Sequence, residues 1–172
     1  MAHQDDIERR IAYLRDTYGE FPVESGTYHH SPEEFERIQE LHERGVPGAS
    51  RVWVERDGKA LLVRTHYRPD EWGVAGGLIE PDERSDDGGE REIREETGIE
   101  CDVVDVAYVH IAENRVTDGS REPIKGLAVA CIASYAGGKL DVQAEEIRDA
   151  KWWSEIPENA YPPASRIGAE RL

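Results

Sequence analysis

Three glutamates, Glu92, Glu95 and Glu96, lie three and four positions apart in the stretch REIREETG. On a helix of 3.6 residues per turn, side chains with this spacing share one face. Their mutual repulsion costs about 0.2–0.5 kcal/mol per pair. A hard divalent cation would offset this repulsion, because Mg²⁺ binds oxygen ligands and keeps part of its shell for water and phosphate oxygens. The stripe therefore predicts a magnesium site, and a solvated acidic helix face is the alternative interpretation.

A fixed pattern surrounds the three glutamates: Gly77, five residues, Glu83, seven residues, Arg91-Glu92-Ile93, one residue, Glu95-Glu96, one residue, Gly98-Ile99. This pattern resembles the Nudix box at every specified position, and a chain of this composition rarely produces it by chance. The box covers Gly77 to Ile99, and a weaker resemblance extends over residues 50–156.

Resemblance to the Nudix family implies an α+β fold, an α/β/α sandwich in which a mixed β-sheet lies between helices. It implies a MutT-like hydrolase that uses Mg²⁺ or Mn²⁺. Such an enzyme cleaves a diphosphate bond in a nucleoside di- or triphosphate, or in a nucleoside diphosphate derivative, by attack of water on phosphorus. The alternative is a Nudix-fold module that binds nucleotide or regulates a partner without turnover. The intact set of three glutamates favours the enzyme.

By the same resemblance, Glu92 and Glu96 are the principal metal ligands, and Glu95 is a further ligand or the base that positions water. The backbone carbonyl of Gly76 is implied as another ligand, since glycine permits close approach of the backbone. A glutamate beyond the box often completes the site in this family, and Glu146 is our candidate, with its neighbour Glu145 left open.

Two further box residues, Glu83 and Arg91, resemble the structural ion pair that fixes the box loop against its helix. Two positions depart from the family pattern. Ala75 stands where a proline is common before the glycine pair, and Gly88-Gly89 would cost about 1 kcal/mol each inside a helix. The helix therefore either begins late or packs tightly at these glycines.

Several elements must position these residues. The box helix is expected over residues 86–98, with Gly98 ending it. A hairpin turn is expected at Asp57-Gly58, because this dipeptide between two β-rich runs favours a tight turn. Apolar, β-branched runs predict strands over 101–112 and 124–136, and a further strand is expected near Trp152 and Trp153. The C-terminal tail has too little pattern to assign.

The remaining segment, residues 1–48, is predicted to be a helical N-terminal extension of a Nudix domain over residues 49–172. Apolar residues at helical spacing predict one helix over 4–16. Ser31, Pro32 and two glutamates begin a second helix over 31–45. The sequence is compatible with a homodimer to which this extension contributes, and it leaves the oligomeric state open.

The whole chain is acidic, with 21 Lys and Arg against 37 Asp and Glu, which gives a net charge of −16. This excess argues against nucleic acid and anionic membranes as partners. It also fits a halophilic protein, because salt screens the repulsion. No apolar stretch follows MAHQDDIERR, so we expect neither signal peptide nor membrane span and a cytoplasmic location. Cys101 and Cys131 are expected to be buried thiols.

The expected small-molecule substrate is a nucleotide whose identity the sequence does not specify. Subgroup marks for ADP-ribose, diadenosine polyphosphates, coenzyme A or NADH are not found. Arg64, Arg68 and Arg115 are candidates for binding phosphate, and each is equally suited to a surface ion pair. Tyr67 and Trp72 are candidates for stacking on a base.

Overall fold

A computed structural model describes residues 2–172 of the chain. Within these residues, four helices and seven strands follow one another in the order α1 (Ala2–Tyr18), β1 (Val23–His30), α2 (Pro32–Glu43), β2 (Gly48–Arg56), β3 (Lys59–Thr65), β4 (Ala75–Leu78), α3 (Ser85–Thr97), β5 (Ile99–Val116), β6 (Ile124–Gly138), β7 (Ile147–Trp153) and α4 (Ala164–Arg171).

The seven strands form one mixed sheet in the order β1-β5-β6-β2-β3-β7, and β4 pairs with β2 outside this path. Strands β1 and β5 are parallel, as are β2 and β6, while the other pairs are antiparallel. The hairpin between β2 and β3 turns at Asp57 and Gly58, both with positive φ, as predicted. The mixed sheet expected from the family resemblance is therefore confirmed.

Both faces of the sheet are covered by apolar side chains. In β2, Val52 and Val54 belong to a cluster that includes Ile11 of α1 and Ile93 of α3. Trp53, between them in sequence, belongs to a second cluster with residues of α4. Because side chains alternate across a strand, one apolar run serves both faces. The chain thus forms the expected α/β/α sandwich, with α1 and α3 on one face and α4 on the other.

The first 48 residues contain the two predicted helices and, between them, a strand that the sequence analysis did not predict. Strand β1 lies between the helices and pairs in parallel with β5 from Val23↔Val109 to His30↔Val116. Ser31 begins α2 with a reciprocal capping box with Glu34. The division of the chain at residue 48 stays a prediction, although α1 and β1 are packed into the same sandwich as the rest.

Three further features complete the fold. The tail that sequence left unassigned carries α4, and Ile167 on that helix is buried. Cys101 and Cys131 are both buried free thiols, as expected. No helix within residues 2–172 has the length and apolar character needed to cross a bilayer.

Candidate active site

Helix α3 carries the acidic stripe and is fixed by one buried side chain and by its C-terminal cap. Ile93 is fully buried beneath it, and Gly98 ends it in the left-handed conformation with φ 75°. The helix begins at Ser85, one residue before the predicted start, so Gly88 and Gly89 are helical. A Cβ on Gly89 would lie 2.7 Å from Val52 Cγ2, and one on Gly88 would lie 2.8 Å from Glu83 Oε2. Tight packing therefore explains the two glycines.

The predicted pair of Glu83 and Arg91 is present. Arg91 Nε donates to Glu83 Oε1 at 2.7 Å, and Nη2 donates to Glu83 Oε2 at 3.0 Å. Nη2 also donates to the Leu78 carbonyl at 3.0 Å. Hydrogen bonds from Arg91 hold the pKa of Glu83 below its ordinary value. The Arg91 guanidinium therefore connects α3 to both ends of the loop that follows β4.

A cavity of about 680 Å³ opens beside α3 and β4. Its lining combines three acidic side chains, two arginines, the glycine pair and a wall of tyrosine and proline: Glu92, Glu96, Glu146, Arg51, Arg68, Gly76, Gly77, Tyr67, Tyr161, Pro162, Pro163, Thr65, Val74 and Leu78. Carboxylates and guanidinium groups on one concave surface suit an anionic ligand bound partly through a cation.

Glu96 is the most enclosed carboxylate of this cavity, with 6% of the residue exposed. Its Oε2 accepts one hydrogen bond, from the Gly76 backbone N–H at 3.1 Å. Burial raises the pKa of Glu96 to about 7, against the lowering effect of that hydrogen bond. A carboxylate held in this way lacks a full counter-charge, which a bound cation would supply.

Glu92 and Glu95 differ in their surroundings although both accept hydrogen bonds from Arg91 Nη1, at 2.9 and 3.1 Å. The Glu92 side chain is 16% exposed and lines the cavity, and burial raises its pKa. The Glu95 side chain is 55% exposed and does not line the cavity.

Throughout residues 2–172, no three His, Cys, Asp or Glu side chains stand close enough together to hold a metal ion.

The loop before β7 brings Glu146 into the cavity and leaves Glu145 outside it. Backbone hydrogen bonds fix this loop to its neighbours. The Gln143 N–H donates to the Glu96 carbonyl at 2.9 Å, and the His66 N–H donates to the Glu146 carbonyl at 3.2 Å. The structure therefore favours Glu146 over Glu145 as the glutamate that joins the box residues.

Among the substrate-binding candidates, Arg68 and Tyr67 line the cavity. Arg64 instead pairs with Asp149, and Arg115 pairs with Glu113. Trp72 is buried, 7% exposed, and does not line the cavity.

Sequence reasoning missed Arg51 and Tyr161 at this cavity. Neither belongs to a motif, and only the pairing of β2 with β4 brings Arg51 next to Gly76.

Helix α1 contacts the box helix and the loop before it, and sequence reasoning also missed this contact. Buried Asp86, in the first turn of α3, accepts hydrogen bonds from Tyr18 Oη at 2.5 Å and Tyr13 Oη at 3.1 Å. Burial and this carboxylate raise the pKa of Tyr18 well above its ordinary value. Arg10 donates to the Glu83 carbonyl at 2.7 Å. The N-terminal segment therefore helps to fix the helix that carries the acidic stripe.

Comparison with known proteins places this site in a family context. The model that describes the NUDIX domain matches residues 46–166. The NAD-capped RNA hydrolase NudC of Stutzerimonas stutzeri (strain A1501) is 32% identical over 103 residues, which are 59% of this chain and 34% of that protein. The CTP pyrophosphohydrolase of Escherichia coli (strain K12) is 43% identical over 63 residues, 35% of this chain and 47% of that protein. The chain thus spans a third to a half of these relatives' length.

A solved structure shows the same fold. The MutT NUDIX hydrolase from Burkholderia pseudomallei superposes with a TM-score of 0.55 over 73% of this chain and 97% of that one, at 23% sequence identity.

Proposed function

We propose that this chain, which belongs to the Nudix family, hydrolyses a diphosphate bond in a nucleoside triphosphate or nucleoside diphosphate derivative, with Mg²⁺ or Mn²⁺ as cofactor. The observation that carries the proposal is the meeting of Glu92, Glu96 and Glu146 in one cavity with two arginines. Acidic groups that repel an anion are useful at such a place when a cation lies between them and the substrate.

The residues present fit a hard divalent cation. The available donors are carboxylate oxygens of Glu92 and Glu96 and the Gly76 carbonyl, all of which suit Mg²⁺ or Mn²⁺. Glu96 is buried without a full counter-charge. A Cβ on Gly77 would lie 2.6 Å from the Glu92 carboxyl carbon, so the glycine leaves room for that carboxylate. Glu95, exposed and bound to Arg91, is the weaker candidate for a ligand.

A bound divalent cation would neutralise charge on the diphosphate and acidify an attacking water. The protein's own residues do the rest. Glu92, Glu96 and the Gly76 carbonyl would hold the cation, and Glu146 would accept the proton that the attacking water loses. The new bond forms between the water oxygen and phosphorus, and the bond from phosphorus to the bridging oxygen breaks. The Glu83–Arg91 pair keeps α3 in place and does not touch substrate.

The decisive experiment measures phosphate or nucleotide product from a panel of nucleotides with Mg²⁺ and with Mn²⁺, at low and high salt. The high-salt arm tests whether the acidic surface is a halophilic adaptation. Glu96→Gln is expected to lower turnover by at least ~100-fold, as for loss of a metal-bound catalytic group, with an unchanged circular dichroism spectrum.

Glu146→Gln and Glu145→Gln form a matched pair, because the residues are adjacent and only Glu146 lines the cavity. We expect Glu146→Gln to lose activity and Glu145→Gln to keep it. Near-normal activity of Glu96→Gln would refute the site. Binding of nucleotides by the wild-type protein without any product would favour a non-catalytic module instead.

A further inference from the structure

One of the two arginines that line the cavity makes a contact that the other lacks. Arg51 lies on β2 directly opposite Gly76 of β4 in the strand register. Its Nη1 donates a hydrogen bond to the Gly76 carbonyl at 3.0 Å. The Gly76 N–H donates to Glu96 at 3.1 Å. Both polar groups of the Gly76 backbone are thus engaged by side chains of the cavity, one by a cation and one by an anion.

The close approach that permits this contact depends on glycine. Gly76 has φ 152°, and a Cβ there would lie 2.1 Å from the Ser50 carbonyl oxygen. A residue with a side chain therefore cannot occupy this position unless β2 moves. Arg51 and Gly76 both line the cavity, and the Gly76 carbonyl lies within hydrogen-bond distance of Arg51 Nη1.

The guanidinium of Arg51 is only partly used in this arrangement. An arginine carries five N–H donors, and the hydrogen bond to Gly76 engages one of them. Among the ion pairs formed within residues 2–172, none includes Arg51, whereas Arg68 pairs with Glu71 and lies over the ring of Tyr161. Planar guanidinium groups with free donors are well suited to bidentate binding of phosphate oxygens.

We propose that Arg51 binds a phosphate of the substrate. In the protein without metal or substrate, Arg51 is hydrogen-bonded to the Gly76 carbonyl instead, and it leaves this carbonyl when a divalent cation binds the same oxygen. This inference rests on the proposed function, which assigns the same carbonyl to the cation. Two positive groups at one carbonyl oxygen repel each other, so a cation bound there would displace the guanidinium toward the diphosphate. Arg51 therefore opposes metal binding in the free protein and supports substrate binding in the loaded one.

This double role predicts that one substitution has opposite effects on two affinities. In Arg51→Gln, Mn²⁺ should bind the substrate-free protein about tenfold more tightly, measured by isothermal titration calorimetry and by electron paramagnetic resonance of free Mn²⁺. Imidodiphosphate, a diphosphate analogue with a P–N–P bridge, should bind the Mn²⁺-loaded variant about tenfold more weakly than the wild type. In nucleotide hydrolysis the variant should show a raised KM with a smaller change in kcat.

Arg68→Gln is the control, because Arg68 lines the same cavity and makes no contact with Gly76. It removes the same charge and should change Mn²⁺ affinity by less than twofold. Arg51→Lys keeps the charge but not the planar fork, and should recover less than half of the lost imidodiphosphate affinity.

Unchanged or weakened Mn²⁺ binding by Arg51→Gln, with a wild type that hydrolyses nucleotides normally, would overturn this inference alone. A wild-type protein that neither binds Mn²⁺ nor turns over any nucleotide would overturn the proposed function as well.

Discussion

The contact between α1 and the box helix gives a prediction whose size follows from the structure. Asp86 is 5% exposed, and the shorter of its two phenol hydrogen bonds comes from Tyr18 at 2.5 Å. A hydrogen bond to a charged group contributes about 1.5–3 kcal/mol. Tyr18→Phe removes the hydroxyl and little else, so it should lower the free energy of unfolding by about 2 kcal/mol. In a chain of this size that corresponds to a melting temperature lower by about 4–8 °C.

Equilibrium urea unfolding followed by tryptophan fluorescence measures this change. Tyr28→Phe is the matched control, since it removes the same atom from a hydrogen bond to His110 at the surface, which should cost less than about 1 kcal/mol. Tyr13 shares the same acceptor oxygen, so the Tyr13→Phe, Tyr18→Phe double variant should lose more than the sum of the single losses. Equal effects of Tyr18→Phe and Tyr28→Phe would show that α1 does not anchor the box helix through Asp86.

Two further predictions concern packing and pH. Gly89→Ala should destabilise the protein by about 1–3 kcal/mol through overpacking against Val52, despite the usual helical preference for alanine; urea unfolding should show a smaller loss when Val52→Ala is also present, and an equal loss would contradict this packing argument. Hydrogen bonding from Arg171 lowers the pKa of Glu55 below its ordinary value of 4.5, so the stabilisation is complete above pH 4.5 and is lost as pH falls through the lowered pKa. Unfolding free energies measured across this acidic range should depend less on pH in Arg171→Gln than in the wild type, and identical pH profiles would refute the linkage.

The box helix could be predicted from sequence because short-range spacing determines it. The position of Ile93 against the core and the left-handed conformation of Gly98 both follow from residues within α3 itself. The Glu83–Arg91 pair is equally local, eight residues apart in the chain. The hairpin at Asp57-Gly58 needs only two residues to specify it. These parts of the fold and site depend on neighbours in sequence.

Strand β1 could not be predicted, because its sequence VESGTYHH has neither apolar alternation nor a buried face. Backbone pairing with β5 holds it in place, and such pairing leaves no mark in the side-chain pattern. Arg51 is similar, since only the register of β2 against β4 places it over Gly76. The hydrogen bonds from Tyr13 and Tyr18 to Asp86 span 73 and 68 residues, and no local rule connects positions so distant in the chain.

The parallel pairing of β1 with β5 also bears on the order in which the molecule is made. Val23 finds its partner only when Val109 has been synthesised. At a translation rate of about 5–20 residues per second, the wait lasts roughly 4–17 s. Helix α1 leaves the ribosome before α3 does, so it is available to receive the box helix as that helix emerges. The cavity is completed only late in synthesis, when the ribosome has delivered Glu146, Tyr161, Pro162 and Pro163.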